Sequence, residues 1–441
     1  MITDRFDQPL TVACEAAAEA YVQALDLSFA SEPGAGERID AALAADPDFA
    51  LAYCVQSRTL LLEERTAEAR AAVKRARTLA GATTPREQAH VEIVARATEG
   101  DGPGALVLLE AHADAHPRDA LPLSLALGVY GLLGFGGFVD FPERQVALLE
   151  RVAPHWGEDW WFDTFLGWAY VEVGDLARGI TLLDRALAAR PTNANAAHAR
   201  AHGYYEAGAP AEGDAFIAGW LPCYDRSAVL HCHLCWHRAL FALQMGEPER
   251  AMDIYRDGIR PSVSQTLPMF TMIDGAAFAW RAALQGYALS PEELRELTAF
   301  TDDRFRKAGV PFANVHAAVV LAAAGDLDAL GDLLDEVDNA VAGGRQPCGD
   351  VGARLCRAVR AFADGDHEAA ADLLSAAVPE TARLGGSHAQ RDLFLDTLIA
   401  ARLRCGAHGQ AIEALQARLA QRTPHLDAAW MGRLDKAGGP P

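Results

Sequence analysis

One turn pattern, repeated along 441 residues, constrains the fold more than anything else in the chain. A glycine or its equivalent is followed by a polar residue, three more residues, and then a small or apolar one. The pattern occurs at Glu64, Gly100, Gly174, Gly208, Gly246, Gly325, Gly365 and Gly406. Several spacings fall between 34 and 41 residues: 208 − 174 = 34, 246 − 208 = 38 and 406 − 365 = 41. Two gaps near twice that length, after Gly100 and after Gly246, predict repeats whose turns are masked. A turn of this kind needs a residue that accepts positive φ at a helix C-terminus, and small residues in the next helix let the pair approach closely. No segment alternates with period two, so strands are not expected.

The stretch "LGWAYVEVGDLARGITLLDRALAARPTN", residues 166–193, shows the unit most clearly. A first helix ends at Gly174, a second runs through Ala186, and Pro191 closes it, which is a tetratricopeptide pattern. The predicted fold is all-α: a tetratricopeptide-type α-solenoid of helical hairpin repeats, closing around a central pocket. The expected organisation is a single solenoid over residues 1–433 and a flexible tail over 434–441. The clearest repeat is 161–193, and the pocket-forming repeats are 194–324 and 385–405.

Half of the chain is apolar, ample for a core. The formal charge of −21 and pI near 5.0 exclude a cationic face, so neither nucleic acid nor an anionic membrane is an expected partner. With only Lys74, Lys307 and Lys436 as lysines, Schiff-base chemistry has little to work with. Eight scattered cysteines form no dense framework, and Asp4, Arg5 and Asp7 interrupt any apolar leader, so reduced thiols in a cytoplasm are expected. The uncharged run "ALPLSLALGVYGLLGFGGFV", residues 120–139, is long enough to span a bilayer, yet Pro122 and its glycines suit a buried helix followed by a glycine-rich loop. On that reading Gly128, Gly131 and Gly134 permit close packing of the helix. Trp156, Trp160, Trp161 and Trp168 read as core and inter-repeat packing.

Histidine is unevenly placed. Five of the 14 lie between His198 and His237. His198 and His202 are four apart on one predicted helix, with Tyr205 on the same stripe, and Thr192 or Asn193 should cap that helix. His233 and His237 are four apart on the next, flanking Trp236. Asp274 and Arg281 share a face of an otherwise apolar helix, and His316 is the sole titratable group of "FANVHAAVVLAAAG". In "GGSHAQRDLF", residues 385–394, Ser387 and Gln390 form a capping-box pattern. A helix starting there would present its amides beside His388 and Arg391, with Asp392 about 100° away around the helix. Gly385-Gly386 would let a substrate or backbone approach.

Each of these residues also has an ordinary structural reading. A lone histidine such as His316 is commonly a core residue with its hydrogen bond satisfied, and Cys232 and Cys235 lack a second pair to complete a zinc set. The ensemble says more, because charges in interior-like segments are tolerable only where they meet around a pocket. Desolvation there would move imidazole and carboxylate groups toward useful acid/base behaviour.

Taken in order, "NANAAHARAH", "HLCWHRALFALQMGEPERAMDIY", "DGAAFAWR", "NVHAAVVLAAAGD" and "GGSHAQRDLF" resemble the tetratricopeptide repeat protein 38 family, also called StaR-like. The resemblance covers most of the chain, from Arg86-Glu87 and His90 in "TPREQAHV" to the last repeat. It implies the solenoid fold and a pocket, with histidine at 198, 202, 233, 237, 316 and 388, Asp at 274, and Arg-Asp at 391–392. The sequence departs from the family where Tyr205 stands in place of a glutamate and where Gly275-Ala276-Ala277-Phe278 replaces a serine-rich stretch.

The expected catalytic residues are therefore His202, His233, His237, Asp274, His316 and His388. The expected ligand-binding residues are His198, Tyr205, Trp236, Arg281, Ser387, Gln390, Arg391 and Asp392. The expected function is an enzyme or binder acting on a small anionic molecule by acid/base chemistry. The alternative is a non-catalytic scaffold for protein–protein interaction. The residues single out no cofactor; a divalent metal held by His and Asp is the alternative. A second copy of the chain or a protein partner stays open.

Overall fold

The structure, a computed structural model, describes residues 2–421. The predicted tail, 434–441, and the end of the predicted solenoid lie outside the described residues. Among the described residues there are 22 α-helices and no strand, only an isolated bridge between Thr3 and Pro9. The fold is an all-α solenoid of the tetratricopeptide type. Its helices follow one another along the chain: α1 (Glu15–Phe29) and α2 (Ala35–Ala45), α3 (Ala50–Leu62) and α4 (Thr66–Ala80), α5 (Pro85–Glu99) and α6 (Gly102–Ala115), and α7 (Ala120–Ala126) and α8 (Phe141–Val152). Next come α9 (Trp160–Glu172) and α10 (Leu176–Ala189), α11 (Ala194–Glu206) and α12 (Pro210–Trp220), α13 (His231–Gln244) and α14 (Pro248–Gly258), and α15 (Pro268–Leu284) and α16 (Pro291–Phe305). The last are α17 (Pro311–Ala324) and α18 (Leu327–Ala342), α19 (Val351–Ala363) and α20 (His367–Ala377), and α21 (His388–Arg404) and α22 (His408–Gln421).

All eight turn positions read from the sequence adopt positive φ, from 62° at Glu64 to 95° at Gly100. The masked repeats are present too. Hairpin α15/α16, turning at Gly286 with φ 92°, fills the gap after Gly246, and α7/α8 fills the gap after Gly100.

Contacts divide the chain into two compact units. The first holds residues up to Gly136, Phe141–Val173 and Thr181–Ala196; the second holds Gly137–Asp140, Gly174–Ile180 and the described chain from Ala197 onward.

In the first unit the apolar run after Ala120 departs from expectation. Its helix stops at Ala126, so Gly128, Gly131 and Gly134 lie beyond it rather than on a packing face. The buried Gln145 side chain replaces helical bonding there, accepting from the Gly128 amide at 3.1 Å and donating to the Gly128 carbonyl at 2.8 Å. A Cβ at Gly131 would fall 2.3 Å from the Leu127 carbonyl oxygen, which is why glycine is required once the chain turns. No helix among the described residues is long and apolar enough to cross a membrane. Trp156 and Trp161 are buried and pack together with Phe6 and Phe162, whereas Trp160 is half-buried under the guanidiniums of Arg5 and Arg190. Asn193 supplies the expected cap, its Oδ1 accepting from the Ala196 amide.

The second unit carries every candidate site residue. Here α13, α15 and α17 pack in succession, and α15 also packs against α21. Residues separated by more than 150 positions are thereby brought to the same interior.

Candidate functional site: a four-histidine cluster and its surroundings

Helical spacing sets the cluster. His198 and His202 stand one turn apart on α11, and His233 and His237 one turn apart on α13. The two stripes face each other, so that one ring nitrogen from each of the four lies within 4.8 Å of those of the others. Ring centroids of His202 and His237 are 4.4 Å apart, those of His198 and His233 4.8 Å, and those of His233 and His237 4.9 Å. The Nε2 atoms of His198 and His202 approach to 2.9 Å. His202, His233 and His237 are buried and His198 is half-buried.

Burial and the neighbouring imidazoles together hold His198 and His237 well below the ordinary histidine range, so both rings are neutral at physiological pH. Asp274 orients a third member, its Oδ1 lying 2.8 Å from His233 Nδ1. A proton on Nδ1 facing that carboxylate would leave the His233 Nε2 with its lone pair available to a ligand. Trp236 stacks on the same imidazole, with ring centroids 5.0 Å apart and planes at 13°. His237 has no hydrogen-bond partner at either ring nitrogen, and Asp274 Oδ2 has none either.

Two turns along α15 from Asp274, the Arg281 guanidinium lies 5.7 Å from the Trp236 ring, donates to the Ala389 carbonyl at 2.6 Å, and pairs with Asp396 at 3.3 Å. His316 on α17 is fully buried. Its Nδ1 donates to the Phe312 carbonyl at 2.8 Å, which leaves Nε2 as a lone pair with no protein partner. Burial lowers its pKa to about 4, and the charge of Arg281 adds to the effect.

A second group continues the α11 stripe. Tyr205 donates to Asp392 Oδ2 at 2.7 Å, and His388 Nδ1 lies 3.3 Å from Glu206. His388 is about one-third exposed, while Glu206 and Asp392 are buried.

The start of α21 is built as predicted and filled by the protein's own groups. Ser387 Oγ accepts from the Gln390 amide at 3.2 Å, and Gln390 Oε1 accepts from the Ser387 amide at 2.9 Å. Arg391 folds back to donate to the Gly386 carbonyl. At Gly386, φ is 76° and a Cβ would fall 2.3 Å from the Phe312 ring, so this glycine admits a side chain of α17 rather than a substrate.

Sequence reasoning therefore named the four histidines of the cluster together with Asp274, Trp236, Arg281 and His316. It did not select Glu206, Asp396 or Phe312. Glu206 carried a signal, standing four residues after His202, whereas Asp396 and Phe312 gain their roles only through helix packing. Cys232 and Cys235 face elsewhere, toward the Ile259 carbonyl and His231 respectively.

The first unit holds a separate buried network. Asp119 receives Arg86 at 2.8 Å, His112 at 2.9 Å and His90 at 3.0 Å. Burial alone would raise the Asp119 carboxyl, but the two imidazoles and the guanidinium hold it well below the usual range.

No family model matches the chain. Among solved structures it resembles yeast Tom70, at 12% identity over 96% of this chain and 95% of that one, with a TM-score of 0.33. It also resembles the human IFIT1 dimer with m7Gppp-AAAA, at 11% identity over 99% and 95%, with a TM-score of 0.37. Likenesses this remote concern the helical fold and bear on nothing in the site.

Proposed function

We propose that the C-terminal unit is an enzyme, or a binder, for a small polar molecule that carries an acidic group, with neutral imidazoles as its proton-transfer groups. One observation carries the reading. Trp236 Nε1, both ring nitrogens of His237, Asp274 Oδ2 and His316 Nε2 are buried polar atoms on three adjacent helices with no protein partner. Each such group costs about 1–3 kcal/mol when its hydrogen bond is unmet. Several together approach the net stability of a whole domain, about 5–15 kcal/mol. A guest that donates to His316 and accepts from Trp236 would recover part of that energy, and Arg281 supplies the positive charge for an acidic group. The resemblance to the tetratricopeptide repeat protein 38 family agrees with such a pocket, and membership is part of the proposal. So is a cytoplasmic location, which the eight unpaired thiols support.

The second reading, a protein-binding scaffold, is favoured by the repeat architecture, since stacked helical hairpins offer extended concave surfaces. Native mass spectrometry of the tag-free chain separates the two, combined with melting in acetate, succinate and inorganic phosphate. The pocket reading expects a small adduct or a stabilising anion on the wild type, and neither on His316→Phe. Wild type and variant that behave alike, with no adduct on either, support the scaffold.

A further inference from the structure

The geometry points to a transition-metal site in the C-terminal unit: one divalent ion of the zinc, cobalt, nickel or copper type, ligated by His198, His202, His233 and His237 and backed by Asp274. The inference does not depend on the identity, or the existence, of the small molecule proposed above.

Three features support it. The first is distance. Imidazole nitrogens bind zinc at about 2.0–2.1 Å, so four ligands around a tetrahedral ion are separated from one another by about 3.3 Å. The His198–His202 separation of 2.9 Å lies just below that value, and the 4.8 Å limit for the whole set requires the remaining rings to close by up to about 1.5 Å on the ion. The second is tautomer. A ligating imidazole commonly has its other nitrogen held by a carboxylate or carbonyl, and Asp274 does this for His233. The third is cost. His237 is fully buried and unpartnered at both nitrogens, and an ion would take up the lone pair of one of them.

The donor set fixes the class of metal. Imidazole suits zinc, copper, nickel and iron, while magnesium and calcium prefer oxygen ligands. Thiolate is excluded, since Cys232 and Cys235 are engaged elsewhere. Four neutral ligands also leave the ion's double charge unneutralised at its first shell. An ion so held favours an anionic fifth ligand, which gives the acidic group of a small molecule a reason to enter an interior that already holds the Asp274, Asp392 and Asp396 side chains. The half-buried His198 marks the edge of the cluster nearest solvent.

The test uses tag-free, full-length protein dialysed against EDTA and titrated with cobalt(II) and then zinc(II). Binding is read by visible absorption, by calorimetry and by metal analysis after gel filtration. One ion per chain is expected, with cobalt bands typical of nitrogen ligation that zinc displaces. His233→Ala and His237→Ala should each weaken binding by at least a hundredfold, and Asp274→Asn by about 10–100-fold with its bands shifted. His316→Phe should retain one ion per chain, which separates failure of the metal site from failure of the small-molecule reading. Asp274→Asn, nearly isosteric, decides the matter if an alanine variant loses its helical circular dichroism. Absence of stoichiometric binding at 100 µM cobalt or zinc overturns the inference. So does unchanged affinity in folded His233→Ala or His237→Ala.

Discussion

Replacing His237 with leucine should stabilise the metal-free protein. A buried imidazole that meets no partner leaves one N–H and one lone pair unmet, and each costs about 1–3 kcal/mol. Leucine removes both while keeping a side chain of similar size among Trp236, Phe241 and the facing histidines. Imperfect repacking, typically under about 1.5 kcal/mol for swaps that conserve volume, takes back part of that gain. The expected net stabilisation is about 1–3 kcal/mol, or a few degrees in Tm at about 2–4 °C per kcal/mol for a unit of this size. The assay is urea and thermal unfolding at pH 7.5 in EDTA, followed by both methods with zinc present. Zinc at a hundred times its Kd should add about 2.7 kcal/mol to the wild type and nothing to the variant. If His237→Leu instead lowers metal-free stability by more than about 2 kcal/mol, the imidazole is a satisfied core residue and the reasoning fails.

Three further outcomes follow from particular contacts. His316 has a folded-state pKa of about 4 against 6.5 unfolded, so its contribution is complete above pH 6.5 and is lost as pH falls toward 4. Between pH 7 and pH 5, His316→Phe should therefore lose about 2 kcal/mol less than the wild type in urea titrations. Asp119→Asn strips the carboxylate from Arg86, His90 and His112 and should cost the first unit about 3–5 kcal/mol, read from chemical denaturation. Gly386→Ala meets both a positive φ and the Phe312 ring, so it should lower Tm by several degrees and disturb the start of α21 in amide exchange.

The hairpins were legible because their cause is local. A positive φ at a helix end selects glycine one residue at a time, and the spacing of such glycines counts the repeats. Glu64 was legible for the same reason, being recognised by its place in the series although it is not glycine. The two histidine pairs were legible because residues four apart on a helix share a face whatever surrounds them. What that face meets is a property of packing between helices distant in sequence. Nothing near Asp119 announces that His90, 29 residues earlier, will reach it, and the pairing of Arg281 with Asp396 depends on α15 lying against α21. The run after Ala120 was misread for a related reason. Apolar composition suggested a longer helix, but a tertiary partner, Gln145, takes over the backbone groups of Gly128 and ends it.

Anomalous diffraction at the zinc edge, from crystals of the tag-free protein grown with zinc, tests the central claim most directly. A single strong peak per chain is expected, within about 2.0–2.2 Å of nitrogens from at least three of His198, His202, His233 and His237, with Asp274 still bonded to His233. A map without density among those four rings, or with zinc only at Cys232, Cys235 or the protein surface, would contradict it.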